Sequence, residues 1–140
     1  MSAQESVASV EGDTGVLDAL ELMRHWGIRH LPVFENKELK GLLSERDVYR
    51  YLSIKGRDNY PVTEVMSHSP YRVGMDEDLS EVLQEMVTRK IGCVIVESRP
   101  NQLAGLFSTV DAMKLFVKML SSSDLPDQPK MKEALEIQET

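Results

Sequence analysis

The sequence predicts an α/β fold of the α+β kind, built from two copies of one strand-helix-strand-strand-helix unit. Three observations predict it: a seven-residue pattern that occurs twice, the same order of apolar segments around each copy, and a near-constant spacing between copies. The pattern is Gly-Leu-Leu-Ser-Glu-Arg-Asp at 41–47 and Gly-Leu-Phe-Ser-Thr-Val-Asp at 105–111. Each half is too short to close a hydrophobic core alone, as is typical of repeated units that pack together.

The two halves match at an offset of 63 residues up to the turn between the paired strands, and at 64 after it. Leu20 thus matches Leu83, and Ser44 matches Ser108. The extra residue falls in a surface turn, where an insertion is least disruptive. The sequence therefore predicts a first repeat over 5–54, a linker over 55–66, a second repeat over 67–120 and a flexible C-terminal tail over 121–140.

The first half opens with a strand over 7–10 and a helix that follows it. Asp13 or Thr14 is the predicted N-cap, and the apolar positions of the next turns follow the helical period. Gly27 is a suitable C-terminal stop because glycine adopts the left-handed conformation readily.

A strand pair and a second helix complete this half. Apolar runs over 28–34 and 39–43 flank a polar turn, and Ser44 begins a helix. One helical turn is predicted over 62–66, inside the connection.

The second half repeats this order. Its predicted N-terminal helix begins with Asp78 and Glu81, which have capping-box spacing, and its last helix begins at Ser108. The predicted strands cover 71–73, 91–96 and 103–107, and a weak helix is predicted over 130–139.

The repeated pattern has a chemical meaning at its Ser and Asp. These residues stand three apart, which is the spacing of an N-cap side chain and the N3 residue that answers it. A helix start presents unpaired N–H groups and the positive end of the helix dipole, so it can receive an anion.

Composition and charge narrow the function classes. The 140 residues are 41% hydrophobic, and 16 basic residues against 23 acidic ones give a net charge of −7. This balance argues against a nucleic acid or an anionic membrane as partner, because phosphate backbones need clustered Lys and Arg. No apolar run is long enough to span a membrane. The single Cys93 reads as a buried small hydrophobe, which fits a reducing compartment such as the cytoplasm.

Signals of catalysis are missing from the sequence. It holds no phosphate loop, dinucleotide-binding glycine pattern, metalloprotease helix or nucleophile elbow. His25 and His68 have no partner at metal-ligand spacing, so no metal site is predicted. The prediction is a protein that is not an enzyme.

With these residues in view, the chain resembles a pair of cystathionine-β-synthase (CBS) domains of the stand-alone kind. The resemblance rests on Ile28 to Val33 followed by Gly41 to Asp47, with weaker copies at Ile91 to Val96 and Gly105 to Asp111. It implies tandem βαββα repeats related by a pseudo-twofold axis, and two clefts between them that often bind adenine nucleotides. It also implies a homodimer that regulates an enzyme or channel, although the sequence does not identify that partner.

The resemblance also assigns ligand-binding residues, with the motif Asp accepting hydrogen bonds from ribose hydroxyls and the motif Ser lying near phosphate. One cleft would use Ser44, Arg46, Asp47, Tyr71, Gly92 and Cys93. The other would use Ser108, Thr109, Asp111, Ala8, Arg29, His30 and Pro32.

Several readings stay open at this point. The two Ser–Asp pairs could be helix caps and nothing more, in a ligand-free module for dimerisation or partner docking. The ligand could be AMP, ADP or ATP, or another molecule such as S-adenosylmethionine or a cyclic dinucleotide. The two clefts are not equivalent, and the one containing Asp111 is favoured because Arg29 and His30 flank it. Candidate dimer contacts are Leu20, Trp26, Met86 and Met113.

Overall fold

The computed structural model describes residues 8–56, 58–121 and 125–138. They form two compact units: the first comprises residues 8–70, and the second begins at residue 71. Each unit contains a three-stranded sheet with helices between and after its strands. This alternation confirms the predicted fold class and the tandem repeats.

The first unit has five regular elements and a short 3₁₀ turn at Val62–Glu64. In chain order the elements are β1 (Val10–Glu11), α1 (Val16–Trp26), β2 (His30–Glu35), β3 (Glu38–Ser44) and α2 (Glu45–Lys55). The sheet order is β1-β2-β3, with β1 parallel and β3 antiparallel to the central strand. Position 7 of the predicted first strand lies outside the described residues.

The second unit repeats this topology and adds one helix. Its elements are β4 (Arg72–Gly74), α3 (Leu79–Arg89), β5 (Cys93–Arg99), β6 (Gln102–Ser108), α4 (Thr109–Ser121) and α5 (Met131–Gln138). The sheet order is β4-β5-β6, again with one parallel and one antiparallel pairing.

Matching positions of the repeat build the two cores. Ala19 and Met23 of α1 are buried in the first unit, and their matches Val82 and Met86 of α3 are buried in the second. The central strands β2 and β5 are apolar over most of their length because they are paired on both edges. Each unit therefore has its own hydrophobic core, contrary to the prediction that neither half could close one alone, because the segment after each repeat adds buried residues to it.

Two predicted helix starts differ from those in the structure. The N-cap of α1 is Gly15, and neither Asp13 nor Thr14 caps it. The amide of Leu17 in its first turn instead donates to the Asn59 side chain at 2.8 Å, a partner 42 residues away that local spacing cannot reveal.

The predicted capping box of α3 does not form either. Asp78 occupies the N-cap position but makes no side-chain capping hydrogen bond. Its carboxylate pairs with Lys130 Nζ at 2.8 Å. A charged partner from the end of the chain replaces the local bond.

The segment predicted as a linker packs into the first unit. Val62 and Met66 are buried in its core, and the predicted turn forms at Val62–Glu64. The Val16 amide donates to Tyr60 O at 2.7 Å, and the Val62 amide donates to Thr14 O at 2.8 Å. These bonds fasten the segment to the start of α1.

Within the predicted tail, the helix predicted over 130–139 forms at Met131–Gln138. Met131, Ala134 and Leu135 of α5 are buried in the core of the second unit. Their three- and four-residue spacing forms a helical stripe that, in the structure, packs onto β6.

We predict that the two motif glycines differ in their tolerance of alanine. A Cβ on Gly41 would strike Met66 Sδ and would lie 2.5 Å from Ser67 O, a backbone atom that cannot rotate away. A Cβ on Gly105 would lie 3.1 Å from Leu135 Cδ2, the end of a flexible side chain. Gly41→Ala should lower the free energy of unfolding by about 2 kcal/mol, and Gly105→Ala by less than ~1 kcal/mol.

Urea denaturation followed by circular dichroism measures both values. Gly92→Ala is the matched control, since a Cβ there has no neighbour within 4 Å. Equal losses for Gly41→Ala and Gly105→Ala would contradict the prediction.

Candidate functional site

Each Gly-x-x-Ser-x-x-Asp motif forms the junction between a strand and the helix that follows. β3 ends at Ser44, which is the N-cap of α2, and β6 ends at Ser108, directly before α4. Both serines are half-buried. The strand fixes where the helix begins, so the motif Asp of each helix has a defined position relative to its Ser.

At the first junction, two of the first three helical N–H groups are satisfied within the unit. The Glu45 amide donates to Arg29 O at 2.8 Å, and the Asp47 amide donates to Ser44 Oγ at 3.0 Å. Within the part of the chain that the structure describes, the backbone N–H of Arg46 is the one of the three left open.

The second junction repeats this arrangement. The Thr109 amide donates to Gly92 O at 3.0 Å, and the Asp111 amide donates to Ser108 Oγ at 3.3 Å. Among the described residues, the Val110 amide finds no acceptor. Each helix start thus offers an anion one open amide in its first turn, a narrower site than the sequence suggested.

The two motif carboxylates differ in their hydrogen bonds. Asp111 Oδ2 accepts hydrogen bonds from the Ser108 amide at 2.8 Å and from the Ser108 hydroxyl at 2.9 Å. These bonds and the Asp111 amide close a ring, which we call the Ser108–Asp111 ring. The Asp47 carboxylate accepts no hydrogen bond from any residue in 8–56, 58–121 or 125–138.

Charge is also distributed unequally between the motifs. In the first unit, β-sheet register sets His30 opposite Ser44, and Arg29 is bonded through its carbonyl to the start of α2. The side chains of Arg29 and Arg46 are both exposed. The first junction therefore carries two guanidinium groups that solvent can reach.

At the matching positions of the second junction the side chains carry no charge. Cys93 lies opposite Ser108 in the sheet, Gly92 precedes it, and Val110 takes the place of Arg46. Asp111 is the charged residue of this motif, so an anion here meets a carboxylate without a neighbouring guanidinium.

The Cys93 thiol is unreactive. Its side chain is buried, and burial together with the nearby Asp111 carboxylate raises the pKa of the thiol to about 12. The thiolate is the reactive form of cysteine, so Cys93 is a packing residue at physiological pH.

Tyr71 lies half-buried against the second core. The Arg89 guanidinium stands 4.9 Å from the centre of its ring, in a cation–π contact. Burial, reinforced by the carboxylates of Glu77 and Glu85, raises the pKa of the Tyr71 hydroxyl. One face of the ring therefore contacts a cation, and the hydroxyl stays protonated.

The structure brings the predicted residues together within each unit. Ser44, Arg46, Asp47, Arg29 and His30 converge on the first junction, while Ser108, Thr109, Asp111, Gly92 and Cys93 converge on the second. Ala8 packs against the first core, and Pro32 is buried opposite Leu42 in the sheet. The pairing of each motif with residues of the other repeat stays a prediction.

The sequence predicted open N–H groups at the two helix starts, but it did not show which amides stay open or which carbonyls bind the others. The open amides of Arg46 and Val110 and the carbonyls of Arg29 and Gly92 do not depend on side-chain identity. Counting the first three amides of each helix against the motif Ser leaves two, and only the structure shows that a carbonyl directly before β2 or β5 takes the second.

No cluster of three or more His, Cys, Asp or Glu residues within the described ranges has a geometry that could hold a metal ion. None of the helices in those ranges is both long and apolar enough to cross a membrane.

Known proteins share this sequence pattern. A family model described as the CBS domain matches residues 3–54 and 62–118, which confirms the resemblance found in the sequence. The chain is similar to CBS domain-containing protein YhcV of Bacillus subtilis, at 30% identity over 106 residues that cover 75% of each protein. It also matches two longer proteins named as enzymes, and spans 31% and 21% of their lengths.

Solved structures share the fold. CBSX2 in complex with AMP has a TM-score of 0.73 at 21% identity, covering 86% of this chain and 94% of that one. The CBS domain pair of protein MJ0100, in complex with 5′-methylthioadenosine and S-adenosyl-L-methionine, has a TM-score of 0.73 at 18% identity, covering 85% and 98%.

The two serines should differ in their contribution to stability. Ser44→Ala removes one capping hydrogen bond and should lower the free energy of unfolding by about 1 kcal/mol. Ser108→Ala removes two hydroxyl bonds of the Ser108–Asp111 ring and should lower it by roughly 2 kcal/mol. Thermal and urea unfolding of both variants measure the difference, with Thr109→Ala as the exposed control. A larger loss for Ser44→Ala would overturn the assignment of the closed ring to the second motif.

Proposed function

Because this chain belongs to the CBS domain family, we propose that it is a regulatory module that binds an adenine nucleotide: AMP, ADP or ATP. One observation carries the proposal: the motif occurs twice, each time at a strand–helix junction that presents a carboxylate, a serine hydroxyl and an open amide. These groups are complementary to a nucleoside phosphate, since a carboxylate accepts from ribose hydroxyls and an amide donates to phosphate.

The first motif is the better nucleotide site in this proposal, which reverses the preference drawn from sequence. No donor among the described residues bonds the Asp47 carboxylate, whereas Asp111 Oδ2 already accepts two hydrogen bonds. Arg46 supplies both the open amide and a guanidinium group. Arg29 lies at the same junction. Arginine suits phosphate because its planar fork is always charged.

The solved CBS pairs in complex with AMP and with S-adenosyl-L-methionine support an adenosyl ligand of this general kind. The module acts through ligand occupancy and not through catalysis in this proposal. Its one cysteine is a buried free thiol, in agreement with a cytoplasmic location.

The site assignment predicts unequal effects of removing the motif carboxylates. Asp47→Ala should weaken AMP binding ten- to hundredfold, because a charge-assisted bond to ribose is worth roughly 1.5–3 kcal/mol. Asp111→Ala should weaken it about threefold or less. Calorimetric titration with AMP, ADP, ATP and S-adenosylmethionine measures both, and Asp58→Ala is an exposed-carboxylate control from the first unit.

Three outcomes would contradict this assignment. Loss of binding for Asp111→Ala alone would show that the second motif is the site. If neither variant matters, both Ser–Asp pairs are helix caps. If none of the four compounds binds at millimolar concentration, the chain is a ligand-free dimerisation or docking module.

We further propose that the module is a homodimer joined through α4. Six large apolar side chains of this helix are exposed, with Phe116 61% and Leu120 74% accessible. Four of them follow helical spacing and form one face, which a second copy would cover: Val110, Met113, Val117 and Leu120. Of the residues suggested by sequence, Trp26 and Met113 are exposed, while Leu20 and Met86 are buried within their own units.

Sedimentation velocity tests the dimer. The native chain should sediment as a dimer at micromolar concentration, and Val117→Glu should weaken the dimer by about 2 kcal/mol because it places a charge in the apolar face. Lys114→Ala, an exposed change on the same helix, should leave the dimer intact. A monomeric native chain would refute the proposal.

A further inference from the structure

The C-terminal helix α5 lies against the second motif. Leu135 is the residue that a Cβ on Gly105 would meet first, at 3.1 Å. Gln138 Nε2 donates to Leu106 O at 2.7 Å. The helix therefore packs on the first two residues of the segment that ends in Ser108 and the Ser108–Asp111 ring.

Hydrogen bonds and ion pairs join the other end of α5 to the turn between β4 and α3. Lys130 Nζ lies 2.8 Å from Asp78 Oδ1, and Lys132 Nζ lies 3.8 Å from Asp76 Oδ1. The amides of Met131 and Lys132 donate to the carbonyls of Glu77 and Met75 at 2.9 and 3.0 Å. Between these ends, Met131, Ala134 and Leu135 enter the core.

The first unit closes the matching strand edge in a firmer way. Leu42, the equivalent of Leu106, both donates to and accepts from the backbone of Ser67, at 3.1 and 2.9 Å. In the second unit, the corresponding bond to Leu106 comes from the side-chain amide of Gln138, at the end of an eight-residue helix. So short a helix is not stable alone in water, so α5 is ordered through its docking.

We propose that α5 is a releasable strap whose docking holds the second motif closed, and that its release opens the Ser108–Asp111 ring. An eight-residue helix has little stability of its own, so the contacts of its docked face set the free energy at which the strap opens. When Leu135 and Gln138 leave, β6 loses its cover at Gly105 and its bond at Leu106, two residues before Ser108. Anything that competes for α5 thereby changes the second motif. This proposal is independent of nucleotide binding.

Amide hydrogen exchange on the full chain tests the strap, since the amides of Ser108 and Asp111 are both donors within the ring. Leu135→Asp places a charge on the buried face of α5, and Gln138→Ala removes the bond to Leu106. The exposed Glu136→Gln is the matched control, and the amide of Asp47 in the first motif is the internal reference.

Leu135→Asp should accelerate exchange at Ser108 and Asp111 by about tenfold or more, and Gln138→Ala by roughly threefold. Exchange at α3, β5 and Asp47 should not change. Unaltered exchange at Ser108 and Asp111 in both variants would overturn the proposal. Faster exchange throughout the second unit would also overturn it, because α5 would then be a fixed part of the core.

Discussion

The fold depends on one constraint, the sharp change from strand to helix at the motif serine. In both units the first helical amide donates to a carbonyl beside the central strand, at 2.8 and 3.0 Å, while the serine hydroxyl accepts from the third helical amide. These two bonds fix the helix to the sheet at its first turn. They also leave one amide in each first turn open among the described residues, so the geometry that terminates the strand also provides the donor of the proposed anion site.

Duplication has preserved this junction and changed what surrounds it. Among the described residues, the carboxylate of the first motif accepts no hydrogen bond, and its junction includes Arg29 and Arg46. The second motif has a closed ring, with Gly92 and Val110 at the positions of the two arginines. A carboxylate that caps its own helix gains stability from bonds that a ligand would have to replace or share. In the proposed function, the first junction would therefore bind the ligand and the second would stabilise its helix.

The two cores show which structural features the local sequence pattern predicts and which it does not. Helical spacing placed α1, α3 and α4 correctly, and the strand pairs followed from two apolar runs around a polar turn in each half. Leu20 and Met86, predicted as candidates for a dimer contact, are instead buried in their own units. Periodicity identifies an apolar face, but it does not distinguish a face that packs on its own sheet from one that meets another chain.

The sequence by itself determined the repeat, because the two halves match at a near-constant offset. It also determined the strand–helix junctions and the Ser–Asp pairs, because each depends on residues within about seven positions of one another. The tertiary structure alone decided which Asp is engaged, where Asp78 finds its partner, and that residues 58–67 and 131–138 belong to the two units. These outcomes depend on contacts such as Asn59 with Leu17 and Lys130 with Asp78, which are 42 and 52 residues apart. Local spacing carries no information about such pairs, since only the folded chain brings them within bonding distance.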